Sequence, residues 1–347
     1  MPRALVTTDG RTYALVDQPL APLRGDEVRV QVEFAAPKHG TEQHSLDGSV
    51  FDRKRWDPDL RMFLPRTEPM AQERMERNAG NMVVGSVIEA GPEARDVRVG
   101  DRVFGYGPIR DMHQAPAEAW MPVGDLTPED CVCVDPAHVA FVAIRDGNTR
   151  IGDHIAVYGL GAIGLMAVQI ARVGGARRIF GVDPSPLRRQ CALGLGADAA
   201  FDPAVSDAAL EIKRSTGGSG VDIAIETSGN GSALHDAIRC IRQCGIVVHV
   251  PWGPTDCSAL HLDEEFHLNR PTIIGSQAWE GWGCADRSYP LWDYRRAFGA
   301  TVELLRAGLI TGHGIIHPII RFEDSPAVIA DLLRRPDRSI KVGVRFA

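Results

Sequence analysis

The chain has 347 residues, of which 44% are hydrophobic, and a formal charge of −7. That length suits two domains with ordinary buried cores, and an acidic balance without a long basic cluster excludes a protein that tracks a nucleic-acid backbone. The start, "MPRALVTTDGRTY", turns polar at once, and there is no apolar run of about 18 residues, so the expected protein is cytoplasmic, neither secreted nor inserted in a membrane.

From residue 1 to about 130, short β-branched runs such as "DEVRVQVEFAA", "NMVVGSVIEAG" and "VGDRVFGY" are broken by Gly, Pro and Asp. This is the texture of an antiparallel, barrel-like domain. The stretch 49–78 within it, "SVFDRKRWDPDLRMFLPRTEPMAQERMERN", is too charged for core and too aromatic for a plain linker; it is expected to close over a cleft or to contact another subunit. Asp135 before Pro136 reads as the N-cap of the helix that leads into a second domain.

From about residue 136 the pattern changes. Strand-like runs "HIAVYG", "RIFGVD", "AAFDP", "VDIAIETSG", "GIVVHVPWG" and "PTIIGS" alternate with helical segments at 206–216 and 232–243, as a doubly wound parallel sheet requires. The remainder holds two amphipathic helices and a closing strand, "SIKVGVRF", and is expected to pack back on the first domain. The expected organisation is therefore α/β, with domains at 1–135 and 136–277 and a return at 278–347. Seven cysteines are scattered without paired spacing and read as reduced, mostly buried thiols.

The stretch "IAVYGLGAIGLMAVQIARVGGARRIFGVD" carries the clearest chemistry. An apolar strand is followed by Gly159, Gly161 and Gly164 in G-x-G-x-x-G spacing and then by a helix whose first turn includes Ala162 and Ile163. Gly159 permits a tight turn, Gly161 leaves room for a pyrophosphate against bare backbone, and Gly164 lets helix and strand pack closely, while the helix N-terminus attracts the phosphates. A second strand ends in Asp183, about 20 residues further on, where a carboxylate accepts hydrogen bonds from the adenosine ribose and repels a 2′-phosphate. The expected cofactor is NAD. Arg188 lies close enough to turn towards a phosphate, although it and Arg189 read more simply as a solvated face.

With "VGDRVFGY" and "GLGAIG" together, the whole chain resembles the medium-chain dehydrogenase/reductase superfamily, the zinc alcohol dehydrogenases and their zinc-free quinone-reductase relatives. The resemblance implies a GroES-like catalytic domain interrupted by a Rossmann domain, an active site in the cleft between them, and a homodimer or homotetramer. It also implies that Val250 lines the nicotinamide ribose, that Lys341 approaches the pyrophosphate if it is not a surface lysine on an edge strand, and that His138 meets the nicotinamide face if it is not a half-buried structural histidine.

The zinc pattern departs from that family. "PKHGTEQH" places His39 at the position of the first cysteine ligand, "GNM" stands for "GHE" with Asn81 at the histidine, and the four-cysteine structural lobe is missing. An amide beside Met82 is a poor substitute for imidazole or thiolate, so no catalytic zinc is expected; a rearranged set of His39, Cys133 and Asp135 is the alternative. The resemblance further aligns Thr41 with the hydroxyl that relays the substrate proton through the nicotinamide ribose and His44 with the histidine that receives it. His39 is a second candidate base or donor to the alkoxide, and Glu42 a candidate to orient either histidine. "HLDEEFHLNRP" and the tryptophans at 279 and 282 add polar and aromatic groups suited to a sugar, cyclitol or other polar secondary alcohol. The expected activity is NAD-dependent, zinc-independent oxidation of that alcohol to a ketone. The alternatives are a zinc-free quinone or enone reductase and a catalytically silent NAD-binding protein.

Overall fold

The computed structural model describes residues 1–38, 50–66, 77–253, 255–278 and 292–347, with the backbone alone of Asp52. In chain order the strands and helices are β1 (Arg3–Thr7), β2 (Tyr13–Asp17), β3 (Glu27–Ala36), α1 (Val50–Arg53), β4 (Lys54–Asp57), β5 (Met62–Pro65), β6 (Arg77–Asn78), β7 (Met82–Ala90), β8 (Arg102–Tyr106), β9 (Met112–Pro116) and β10 (Met121–Pro122). They continue with α2 (Pro128–Asp146), β11 (His154–Tyr158), α3 (Ala162–Val173), β12 (Arg178–Val182), α4 (Pro186–Gly194), β13 (Ala199–Phe201), α5 (Ala208–Ser215), β14 (Val221–Glu226), α6 (Gly231–Cys240) and β15 (Ile241–His249). The last elements are α7 (Glu265–Asn269), β16 (Thr272–Gly275), α8 (Tyr294–Arg306), β17 (Ile316–Arg321), α9 (Ser325–Arg334) and β18 (Lys341–Arg345). No described helix is long and apolar enough to cross a membrane.

Two compact units result, one of 1–49, 67–133 and 312–347, the other of 50–66 and 134–311. The first is built on the sheet β10-β8-β7-β3-β18-β17, with β9 also paired to β3, and on the small sheet β2-β1-β6. Its pairings are antiparallel except β17–β18, which is parallel. Alternating valines of β3 and β7 turn inward with Leu5, Trp120, Val342 and Phe346 to form its core. The crowding at β18 explains Gly343, whose added Cβ would lie 2.5 Å from the Phe34 ring.

His113 is buried in this unit beside Trp120, with Nε2 2.9 Å from the Pro108 carbonyl. Burial, and then the nearby Arg110 charge, hold its pKa down to about 4 against the pull of the Pro108 carbonyl. The imidazole is thus neutral when folded but titrates near its ordinary 6.5 when unfolded. Its contribution is complete above pH 6.5 and is lost as the pH falls towards 4, by about 3 kcal/mol in total. Apparent melting midpoints of the wild type should drop across this window, whereas His113→Gln should show a shallower drop. Parallel loss in both proteins would remove the imidazole as the cause.

The second unit carries a six-stranded parallel sheet in the order β13-β12-β11-β14-β15-β16. Its core gathers Tyr158, Phe180, Val182, Ile212, Leu234 and Ile238. The doubly wound sheet expected from the sequence is therefore present, and the helices begin where their caps say. Asp207 accepts from Leu210 N, Asn230 from Ser232 N and Ala233 N, and Asp293 from Arg296 N.

Several boundaries differ from the sequence reading. The helix expected over 232–243 ends at Cys240 because Ile241 already pairs with Val221 in the sheet. Asp135 is not an N-cap: it sits inside α2, with Pro136 accommodated in the same helix. The helix starts earlier because Thr127 and Asp130 form a reciprocal capping box, Asp130 N donating to the threonine hydroxyl and Thr127 N to the carboxylate. Residues 292–311 belong to the second unit, and the return to the first begins at 312 instead of 278. The reason is local: the His138 ring lies against Tyr294 and Phe298, Arg145 and Arg296 lie over Trp292, and Gln169 exchanges two hydrogen bonds with Thr311. Of the six described cysteines, Cys131, Cys133 and Cys240 are buried, while Cys244 and Cys257 are exposed and Cys191 intermediate.

Candidate cofactor and catalytic site

The sheet order reverses between β11 and β14, and the carboxyl ends of the strands at such a point are the place where doubly wound sheets bind ligands. The glycine turn stands at this point. Gly159 has φ +85°, and a Cβ there would lie 2.8 Å from Ser228 N. Gly164 is tighter, because its Cβ would fall 1.9 Å from the Gly159 carbonyl oxygen. Above Gly161 a Cβ would meet nothing within 4 Å. The three glycines thus divide their work as the spacing predicts: turn, free space and close packing.

Gly161 is the N-cap of α3 and has no side chain to cap it. The first intrahelical bond is Leu165 N to Gly161 O, which leaves the amides of Ala162, Ile163 and Gly164 without partners inside the helix. Three N–H groups at the positive end of a helix, next to open space, are suited to a phosphate. Thr227 steadies the turn from β14 by donating its hydroxyl to the Gly159 carbonyl at 2.7 Å.

Asp183 follows β12 and is 4% exposed. One carboxylate oxygen accepts from Leu160 N and the other from Ser185 N, each at 2.8 Å, so it joins the glycine turn to the start of α4. Arg188 Nη1 lies 3.7 Å from it, and Arg189 donates to the carbonyls of Asp183 and Pro184 while pairing with Asp202. The two arginines are therefore not a solvated face. Both are partly buried beside the acid, at the start of α4 that Ser185 caps.

Sequence reasoning missed a second acid at the same edge. Glu226, at the end of β14, is fully buried; one oxygen accepts from Ser228 N and the Ser228 hydroxyl at 2.5 Å and from Gly229 N at 3.0 Å. His249 Nδ1 lies 2.9 Å from its other oxygen, a close contact without the alignment of a hydrogen bond. The signal was available: in both "VDIAIE" and "GIVVH" a titratable side chain ends an apolar strand. Val250 comes next, nearly buried, its N–H bonded to the Glu226 carbonyl at 2.9 Å.

Lys341 and His138 have different surroundings from those expected. Lys341 is 3% exposed on β18, which lies between β3 and β17, and its Nζ donates to the Pro37 carbonyl at 2.7 Å. It is neither on the surface nor on an edge; it anchors the chain just before the "HGTE" segment. His138 is 2% exposed, fully instead of half buried, and its ring lies against the α8 rings already described. His39, Thr41, Glu42 and His44 lie outside the described residues, as do Trp279 and Trp282.

Comparison with known proteins agrees with this geometry. The model of the family described as zinc-binding dehydrogenase matches residues 162–284. D-guloside 3-dehydrogenase of Escherichia coli (strain K12) is 36% identical over 99% of this chain and 100% of its own length. The chain belongs to the medium-chain dehydrogenase/reductase superfamily. (R,R)-Butanediol dehydrogenase of Bacillus subtilis (strain 168) is 27% identical over 76% of this chain and 80% of its own. The crystal structure of 2R,3R-butanediol dehydrogenase from Bacillus subtilis has the same fold, with a TM-score of 0.77 at 23% identity over 99% of both chains. This member of the superfamily is accordingly an oxidoreductase of the alcohol dehydrogenase type that uses a nicotinamide cofactor.

Of the positions aligned with the zinc ligands of the superfamily, or offered in their place, Asn81, Cys133 and Asp135 are described. At the position of the histidine ligand, Asn81 Nδ2 is buried without a hydrogen-bond partner, and an amide NH2 group offers a metal no lone pair. Cys133 and Asp135 do not gather with a third described ligand. Among the described residues the group within mutual reach of one ion is His235, Glu264 and Glu265, in the second unit and partly exposed.

Proposed function

We propose that this protein is an NAD-dependent, zinc-independent dehydrogenase that oxidises a secondary alcohol of a sugar or glycoside to the ketone. The observation that carries the reading is the open space above Gly161, bordered by three unmatched helix amides and closed on the adenosine side by Asp183. The substrate class is supported by the full-length relationship to D-guloside 3-dehydrogenase.

Bound at this turn, the nicotinamide supplies a two-electron hydride acceptor. The chain has three tasks. The amides of Ala162 and Ile163 and the space above Gly161 hold the pyrophosphate, Asp183 accepts from the ribose hydroxyls, and a base takes the hydroxyl proton. Thr41 and His44 serve that last task, Thr41 receiving the proton from the substrate oxygen and His44 holding it at the end of the relay. His39 of the "HGTE" segment is the candidate donor to the developing alkoxide.

Turnover with NAD and a panel of sorbitol and methyl glycosides, compared with NADPH and quinones, tests the reading. Oxidation of the alcohols that persists after exhaustive treatment with a chelator supports it. Activity confined to NADPH and quinones, or activity lost with a stoichiometric zinc, overturns it.

Asp183 sets the cofactor preference. A 2′-phosphate would face this carboxylate, so wild-type protein should bind NAD at least ~10-fold more tightly than NADP, measured by tryptophan quenching. Asp183→Ala should weaken NAD and strengthen NADP, with Arg188 then free to pair with the phosphate. NADP binding left as poor as in the wild type would reject the electrostatic cause.

A further inference from the structure

The second unit includes a segment that the sheet does not require. Residues 50–66 form α1 and the hairpin β4–β5, in which Trp56 pairs directly with Phe63 across the strands. The rings of Trp56 and Phe63 meet edge-on with centroids 5.2 Å apart, Phe63 meets Phe51 at 5.3 Å, and Phe51 lies 6.0 Å from Trp252. Trp252 closes this row of four rings and is still 48% exposed.

The location gives the row its meaning. Trp252 follows Val250 and Pro251 immediately beyond the carboxyl end of β15, and Pro251 is in close reach of Gly229, whose added Cβ would lie 3.3 Å from the proline Cβ. Gly229 in turn shares Glu226 with Ser228, which touches the Gly159 turn. A dinucleotide with its adenosine half at Asp183 and its phosphates at Gly161 extends its other half across the switch point towards β14 and β15. The reacting carbon must meet the cofactor on that side, where the half-exposed indole stands.

We infer that Trp252, backed by Phe51 and Phe63, is a stacking platform for the C–H face of a pyranoside ring. The inference rests on the glycoside reading above and deepens it. A pyranose ring presents a flat array of C–H bonds on one face and hydroxyls around its rim, so it can cover an indole without burying an unmatched hydroxyl. An acyclic polyol has no such face. The platform thereby selects ring substrates over chains that carry the same secondary alcohol.

The test measures steady-state constants for methyl glucopyranoside, methyl galactopyranoside and sorbitol in wild type, Trp252→Ala, Trp252→Phe and Phe63→Ala, with NAD affinity and melting midpoints alongside. Trp252→Ala should raise KM for the pyranosides about 10-fold with little change in kcat, leave sorbitol and NAD affinity unchanged, and be largely restored by phenylalanine. An equal rise for sorbitol, a parallel loss of NAD affinity, or no change would each overturn the platform. Pyranoside binding by wild type is also followed directly through tryptophan fluorescence. Protein that oxidises sorbitol but neither binds nor oxidises a pyranoside overturns the platform and leaves an alcohol dehydrogenase. Protein that binds pyranosides through Trp252 but oxidises no alcohol supports the platform and overturns the proposed activity.

Discussion

Replacing Gly164 by alanine will weaken NAD binding by ~10-fold or more and lower the melting midpoint. The new methyl group would stand 1.9 Å from the Gly159 carbonyl oxygen, a backbone atom that cannot swing aside, so the helix and the turn must separate. Overpacking of this kind costs about 1–3 kcal/mol, and it also moves the helix amides out of line with the phosphates. Gly161→Ala is the matched contrast. Its methyl meets nothing in the protein within 4 Å, so folding should be unaffected while NAD affinity falls, because the methyl takes the space proposed for the pyrophosphate. Wild-type affinity in Gly161→Ala would move the phosphates elsewhere. Titration with NAD beside thermal melts separates the two effects.

Thr41→Val and His44→Gln should each reduce alcohol oxidation by roughly 10²-fold at neutral pH with NAD affinity intact, since neither residue belongs to the glycine turn or to Asp183. In His44→Gln the deficit should shrink as the pH rises and hydroxide takes over as acceptor. His39→Ala is the discriminating control. If His39 takes the proton directly, its loss exceeds that of His44 and the rate no longer follows an ionisation near neutrality. Near-native turnover in all three variants would place the base elsewhere, with Glu42 the next to replace.

The glycine turn and the strand-ending acid were legible because they are written in backbone geometry. A glycine spacing, an apolar strand and a strand-ending acid each leave a local trace in sequence, and Gly159, Gly161, Gly164 and Asp183 stand where that trace put them. Glu226 and His249 were missed because their meaning depends on two strands being neighbours, which pattern along one strand does not reveal. Asp135 was misread for a related reason: Asp-Pro is a common helix start, and only the Thr127–Asp130 capping box upstream decides that the helix has already begun. The alternative that made Lys341 a surface lysine on an edge strand failed because a strand's place in its sheet has no local signature. The family pattern at His39, Thr41 and His44 is legible in sequence alone, and those residues lie outside the described part of the chain.

The bonding of Asp183 also constrains how this protein can change over generations. Its two oxygens already hold Leu160 N and Ser185 N, so the residue proposed to select the cofactor is also the one that ties the glycine turn to the next helix. A lineage drifting towards a phosphorylated dinucleotide would lose that tie in the same step that relieved the repulsion. A viable route therefore passes first through substitutions that support the turn from another side, and cofactor exchange becomes a matter of mutational order.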